Sequence, residues 1–458
     1  MNMRFYYLFI LVSLIGCEDK SSKSNTDQPE STFNSQPPST QEDQATQEDP
    51  SNQVDQENMS QEDDAFIPEA PLPQPWQSPF QLGTEGIDQA LGLDVLPNHD
   101  VVIAGRTEGV LVDRGEVGLG DGFVALIRDS GELGWIKQLG TSALDQFLDV
   151  VYHPQELIIA GGLSTGDYAG EVNTQLMDGI LVALSVDGNV LWEKKLNLGT
   201  VNRLFPTSNG VIVVGSYEEM QGDPAAFVAH YTLEGEREWL ATLNSPDFDS
   251  ATSATVVNDH VYVSGFTFGS IVNQETRSDM SIFIGQFSMN GELIWVKEYG
   301  GDHDDSAVRI THDQEGLIVA GYTGGLLGEE HYGSNDVAVL KLTFDGDLLW
   351  QKQFGTSGSE SAYGLTVSPD GQIILSGRID EASWDERSNR NGDAFILELS
   401  AEGQQLNVVQ YGSNGRDEFV DVAYSQNMLC ISGYWSLDEE NMDIWVDRVS
   451  SFEERMYP

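Results

Sequence analysis

The sequence predicts an all-β fold, a seven-bladed β-propeller of four-stranded blades spanning residues 76–450. Three observations carry that prediction. Short apolar runs ending in glycine recur seven times, at 101–105, 157–161, 211–215, 261–265, 317–321, 373–377 and 429–433, their glycines 56, 54, 50, 56, 56 and 56 residues apart. A second apolar run follows each, with an acid just before it. Six of the second runs lead into a turn holding Gly131, Gly188, Gly235, Gly291, Gly346 or Gly403. Trp135, Trp192, Trp239, Trp295 and Trp350 follow five of those turns, with Asn407 in the sixth place.

Each run is short, often β-branched and bounded by Gly or Asp, which is the pattern of a strand. Gly after Asn or Asp marks a hairpin, because the tight turn needs positive φ. No segment has a helical period. Four strands in about 55 residues, repeated many times, give a solenoid or a propeller. Seven four-stranded units give a propeller, whose closure leaves only short sheet edges. With strands named A to D from the channel outward, the glycine-ending run is B, the next is C and the tryptophan run is D. There are seven C runs but six C–D hairpins. The spare segment, 76–82, is at the opposite end of the domain, and it is expected to pair beside the last C strand as a clasp.

Between D and A runs a second signature. Gly83-Thr84 leads to Asp88, Gly140-Thr141 to Asp145, Gly300-Gly301 to Asp305, Gly355-Thr356 to Glu360 and Gly412-Ser413 to Asp417. Asn244 leads to Asp249 at the same step, and the shorter third unit runs from Gly199-Thr200 to Asn202. Because D–A and B–C loops share a face, these acids are expected to ring one mouth of the channel. They are candidate ligands for a cation, which for calcium means several oxygens at about 2.3–2.6 Å. The competing reading is a repeated turn in which each carboxylate accepts local backbone N–H groups.

The B–C connections vary most, with 16, 17, 8, 14, 15, 16 and 10 residues from the B glycine to the acid before C. Variable insertions on one face of a repeat protein mark its binding face. The fourth connection holds 273–279, the fifth Glu329, Glu330 and His331, and the sixth Trp384 and 387–391. Trp384 lies outside the regular tryptophan positions, so it is a binding-loop candidate, unless it packs its own loop. No catalytic motif survives inspection. HExxH is absent, and Asp302, Asp304 and Asp305 lack EF-hand spacing. Residues 162–166 match GxSxG, but that motif needs a strand-to-helix turn. Cys430 lies within a B strand, where a buried thiol acts as a small hydrophobe. No catalytic residue and no cofactor is expected.

Ahead of the repeats, Arg4 precedes an apolar run of eleven residues, 5–15, too short for a bilayer that needs about 20. Leu14-Ile15-Gly16-Cys17 then resembles the lipobox of bacterial lipoproteins. That resemblance implies cleavage before Cys17 and fatty acylation of it, palmitate included, after a signal peptide of 1–16. Residues 17–75 are polar, Pro-rich and acidic, and cannot bury enough apolar surface to order themselves. They are expected to form a disordered stalk of roughly 40 Å. Residues 451–458 form a C-terminal tail. The spacing and tryptophan run of 76–449 resemble the bacterial seven-bladed propeller repeats and, more distantly, the quinoprotein-like superfamily. Quinoprotein dehydrogenases have eight blades and, in many members, a vicinal disulfide. Seven blades and one domain cysteine here count against a quinone cofactor.

Charge restricts the partners. The chain has 74 acids against 22 Lys and Arg, a net of -52. The stalk carries -12 and the remainder after the signal -41, so most of the charge coats the folded ring. A nucleic-acid binder needs Lys and Arg to neutralise phosphates, so nucleic acid is excluded. The expectation is a monomeric, lipid-anchored envelope protein at the outer membrane or cell surface. Its propeller binds or displays a protein or glycan partner without catalysis. Two alternatives stand beside it. One is an assembly factor resembling the propeller lipoprotein of the outer-membrane β-barrel assembly machinery. The other is an enzyme whose active site is gathered from loops.

Overall fold

The computed structural model describes residues 76, 79–112, 118–173, 177–217, 224–328, 330–380, 384, 392–413, 415–425, 428–438 and 441–449. The signal peptide, Cys17, the stalk, 387–391 and the C-terminal tail lie outside the described residues.

Seven separate four-stranded antiparallel sheets form the blades. Blade 1 runs A (Asp88–Val95), B (Val101–Thr107), C (Asp121–Ile127), D (Leu133–Leu139). The A strands of blades 2 to 7 are Asp145–His153, Thr200–Thr207, Asp249–Val257, Asp305–His312, Ser359–Val367 and Glu418–Ser425. Successive A strands contact one another around the ring, and that of blade 1 meets blade 7. Strands B and C are almost wholly buried because each sheet packs both faces on neighbours, whereas D strands are half exposed. The apolar runs that define the repeat are therefore the inter-blade core.

The clasp forms as the hairpin count predicts. Phe80–Leu82 is the fourth strand of blade 7, antiparallel to C strand Asn441–Val449, with Phe80 opposite Val446 and Leu82 opposite Ile444. The paired strand is shorter than the 76–82 expected. Trp76 lies outside it, held by its N–H to the Arg448 carbonyl at 3.0 Å.

Trp76 nevertheless does what three of the outer tryptophans do. The indole N–H of Trp135 donates to the Val186 carbonyl at 2.9 Å, Trp192 to Leu233 at 2.8 Å and Trp239 to Met289 at 3.0 Å. Each acceptor belongs to the C–D turn of the following blade. Trp76 donates in the same way to Asp129 of blade 1, at 3.1 Å. The turn glycines have φ of 73–84°. A methyl on Gly188 would come within 2.6 Å of the Trp135 ring, so glycine answers both the left-handed turn and the stacked ring. Lysines reinforce the grip: Lys194 pairs with Glu236 at 2.7 Å and Lys297 with Asp347 at 2.9 Å in the next blade's turn.

This lock explains Asn407. Blade 7 gets its outer strand from the other end of the chain, so among the described residues no C–D turn there receives a tryptophan from blade 6. Trp192→Ala is expected to destabilise the propeller by roughly 2–4 kcal/mol, while Asn407→Ala stays within about 0.5 kcal/mol. Equilibrium urea unfolding compares the two, and equal losses would refute the lock.

Blade 4 departs from expectation. Its B and C strands, His260–Ser270 and Glu275–Ser288, continue as a hairpin joined by a four-residue turn. Residues 275–279 of the supposed fourth loop are therefore strand.

Candidate functional site

The D–A and B–C connections interlock on one face. Leu119 donates its N–H to the Ala143 carbonyl at 3.2 Å, Ser334 to Gly358 at 2.7 Å, and Gly324 to Asp304 at 2.8 Å. This loop face carries exposed apolar side chains: Val110, Leu119 (76% exposed), Val172 (69%), Val272, Leu326 and Tyr332. On blade 4, Phe248, Phe266 and Phe268 group with ring centroids 5.7–6.1 Å apart.

The six signature acids begin, or nearly begin, their A strands and are buried. Each accepts the backbone N–H of the residue four positions before it: Thr84 to Asp88 at 2.6 Å, Thr141 to Asp145 at 2.5 Å, Ser245 to Asp249 at 2.6 Å, Gly301 to Asp305 at 2.6 Å, and Thr356 to Glu360 at 3.1 Å. Ser413 gives the same bond to Asp417. Threonine or serine hydroxyls add a second bond at Asp88, Asp145, Glu360 and Asp417. The carboxylates thus each tie down their own connection rather than meeting at the channel mouth. Among the described residues no three His, Cys, Asp or Glu side chains gather to hold a metal. In the third blade Asn202 turns instead to the Ala251 carbonyl, at 2.8 Å.

The signature glycine also has a reason. A methyl at Gly140 would lie 2.5 Å from Asp121 and 3.0 Å from Asp145, because the acid opening one blade's C strand faces the acid of the next blade's A strand there. Asp336 and Glu360 flank Gly355 likewise. A D-strand glutamine holds the C-strand acid: Gln138 donates to Asp121 at 2.9 Å, Gln353 to Asp336 at 2.6 Å and Gln410 to Asp393 at 2.7 Å. Lys195 replaces glutamine in blade 2 and pairs with Asp178 at 2.9 Å.

Burial, and then the facing carboxylate where there is one, raises these acids. Glu360 is pushed up to about 7, Asp249 and Asp417 to about 6, and Asp88, Asp145 and Asp305 upward. A carboxyl with a raised folded pKa holds its proton more tightly folded than unfolded. Its stabilisation is complete below the ordinary carboxylate range and lost as pH rises through 6 to 7. His230 and His312, lowered by burial, oppose this as pH falls below 6.5. The melting temperature should be higher at pH 5.5 than at pH 8. Glu360→Gln should flatten that dependence, and an unchanged slope in the variant would contradict the assignment.

The channel holds a network that the sequence reading missed. Every A strand carries a β-bulge at the same step, between 90 and 92, 147 and 149, 201 and 203, 251 and 253, 307 and 309, 362 and 364, and 419 and 421. The residues just after the bulges are Gly92, Asp149, Arg203, Ser253, Arg309, Gly364 and Asp421. Arg203 pairs with Asp149 of blade 2 at 2.6 Å and reaches Asp421 of blade 7 at 3.4 Å. Arg309 of blade 5 meets Asp421 at 3.5 Å, and the Leu93 N–H of blade 1 donates to it at 3.3 Å. Blades 3 and 7 are as far apart as a ring of seven allows, so these side chains span the channel. All four are at most 12% exposed. Leu91, Leu148, Val420, Tyr434 and Met442 pack together where blades 7, 1 and 2 meet. The ionic side chains plug the channel.

The remaining candidates are structural in their placement. Trp384 sets its ring edge-on to Phe395, centroids 5.0 Å apart, and its backbone N–H donates to Gln410 at 3.1 Å. Ser164 of the GxSxG match is a buried strand residue that accepts the Gly166 N–H, followed by a single 3-10 turn, Tyr168–Gly170. Burial raises the Cys430 thiol to about 12.

No protein-family model matches the chain. One stretch of 108 residues is 29% identical to the regulatory protein FlaEY of Caulobacter vibrioides, covering 22% of this chain and 11% of that protein. The chain therefore spans about a tenth of that relative's length. The WD40 β-propeller domain of Doa1 aligns with a TM-score of 0.47 at 15% identity, over 84% of this chain and 97% of that one. The fold assignment rests on the seven sheets themselves.

Proposed function

We propose that this protein is a lipid-anchored component of the bacterial envelope whose propeller binds a partner protein across its loop face and performs no catalysis. The observation that carries the binding reading is the set of exposed apolar side chains on the B–C connections, from Val110 to Tyr332. Apolar side chains left exposed on the variable connections of a repeat protein mark its interaction face. The plugged channel favours a partner lying across the face over a small molecule entering the axis. The Leu14-Ile15-Gly16-Cys17 motif supports the anchor, and the acidic stalk supports display away from the membrane. The acidity of the ring supports a soluble monomer.

A photo-crosslinking residue at Leu119 or Leu326 of the full-length protein should capture one discrete partner in producing cells. The same residue at Leu349, on the outer strand of blade 5, should not. Capture from Leu349 alone would move the binding surface to the rim. Metabolic labelling with an alkyne fatty acid should mark the wild type and fail for Cys17→Ser; labelling of that variant would remove the anchor.

A further inference from the structure

We infer that the loop face docks a basic, amphipathic segment of the partner protein. In such a complex, apolar side chains rest on Val110, Leu119, Val172, Leu326 and Tyr332, and Lys or Arg side chains face the acids between them. This inference rests on the loop face being the binding surface and names the chemistry that fits it.

Charge complementarity carries the choice. Six of the seven B–C connections are net acidic in sequence, and the four-residue turn of blade 4 is neutral. Glu108, Asp167, Glu171, Glu275 and Glu330 are exposed among the apolar residues. Four cations on this side are each turned onto an acid of this chain. Arg106 pairs with Glu108, Lys195 with Asp178, Arg378 with Asp380 and Glu418, and Arg416 approaches Glu418 at 3.7 Å.

Arg128, Lys137, Lys194, Arg237, Lys297 and Lys352, by contrast, sit on outer strands and C–D turns. The outer strands and C–D turns also expose apolar side chains, Leu191, Ile294 and Leu349 among them, but together with the exposed cations Arg128 and Arg237, whereas the loop face sets its apolar side chains among acids. An acidic partner would meet like charge on that face, and a purely apolar one would leave the interspersed carboxylates desolvated without counter-charge. A segment alternating leucine-like and lysine-like faces satisfies both.

The test uses the full-length protein in detergent and two labelled probes. One is an 18-residue Lys/Leu amphipathic peptide, and the other is the same peptide with Glu for each Lys. Fluorescence anisotropy should show binding of the Lys/Leu peptide alone, weakened at least tenfold by Leu119→Asp or Leu326→Asp and untouched by Leu349→Asp. Binding should fall with added salt. Circular dichroism melts check that the variants fold, and these exposed positions leave the core intact. Equal loss in Leu349→Asp, equal binding of both peptides, or no binding overturns the inference. Should crosslinks at Leu119 capture a partner that lacks any basic amphipathic segment, the binding surface stands and its proposed chemistry falls.

Discussion

Deletion of residues 76–82 is expected to lower the melting temperature of the propeller by about 10 °C or more. Trp76 is 4% exposed, and losing a buried aromatic alone costs about 3–5 kcal/mol. Its indole bond to Asp129, the Arg448 guanidinium lying 5.3 Å from its ring, and the three strand pairs to blade 7 go with it. Ile444 and Val446, fully buried beneath the clasp, would then face water along an unpaired edge. A domain this large loses about 2 °C per kcal/mol, which sets the scale of the shift. Scanning calorimetry of the stalk-free propeller with and without 76–82 decides it. Trp76→Ala should reproduce roughly half the loss if the lock and the strand contribute comparably. A melting temperature within 2–3 °C of the parent would mean that blade 7 closes without its fourth strand.

Arg203→Met should cost about 3–5 kcal/mol, because it leaves Asp149 buried without its counter-charge and Asp421 with the more distant Arg309 alone. Here the pH dependence is diagnostic. Asp149 already titrates near 6, raised by burial and held down by Arg203. Without the arginine both carboxyls rise further, and Asp149 can be neutralised only by a proton. The penalty of Arg203→Met should therefore shrink from pH 8 to pH 5. Asp149→Asn in the Arg203→Met background should restore part of the stability at pH 8 and little at pH 5. Chemical denaturation at the two pH values provides the comparison. A penalty independent of pH would show that the arginine matters for its packing and not for its charge.

Much of the fold was legible in the sequence because strands B, C and D are held by local rules. Burial on both faces gives the apolar runs, and positive φ gives the turn glycines. Ring closure followed from counting hairpins. The signature acids were legible as a motif but not as a geometry, since a carboxylate bonded to its own turn and one aimed at a cation have the same spacing. The plug was hidden for a different reason. Arg203 and Asp149 are 54 residues apart, and Arg309 and Asp421 are 112 apart, so they read as scattered charges until closure makes them neighbours. A usable signal existed nonetheless. The residue four after each signature acid is the one that follows the bulge: Asp149 after Asp145, Arg309 after Asp305, Asp421 after Asp417.

Those seven positions also bear on how near-identical repeats avoid confusion. Blades so alike in their strands could trade places during folding with little change in their apolar contacts. The hub differs at every turn of the ring, reading Gly, Asp, Arg, Ser, Arg, Gly, Asp from blade 1 to blade 7. Gly92 lets the Asp149 backbone approach where any side chain would collide, since a methyl there would lie 2.7 Å from the Asp149 Cα. Exchange of blades 2 and 5 would crowd arginines together and strand an aspartate beside its like. The axis thus works as a partial key: it disfavours exchanges that alter this order of charges and is blind to swaps between blades that carry the same hub residue.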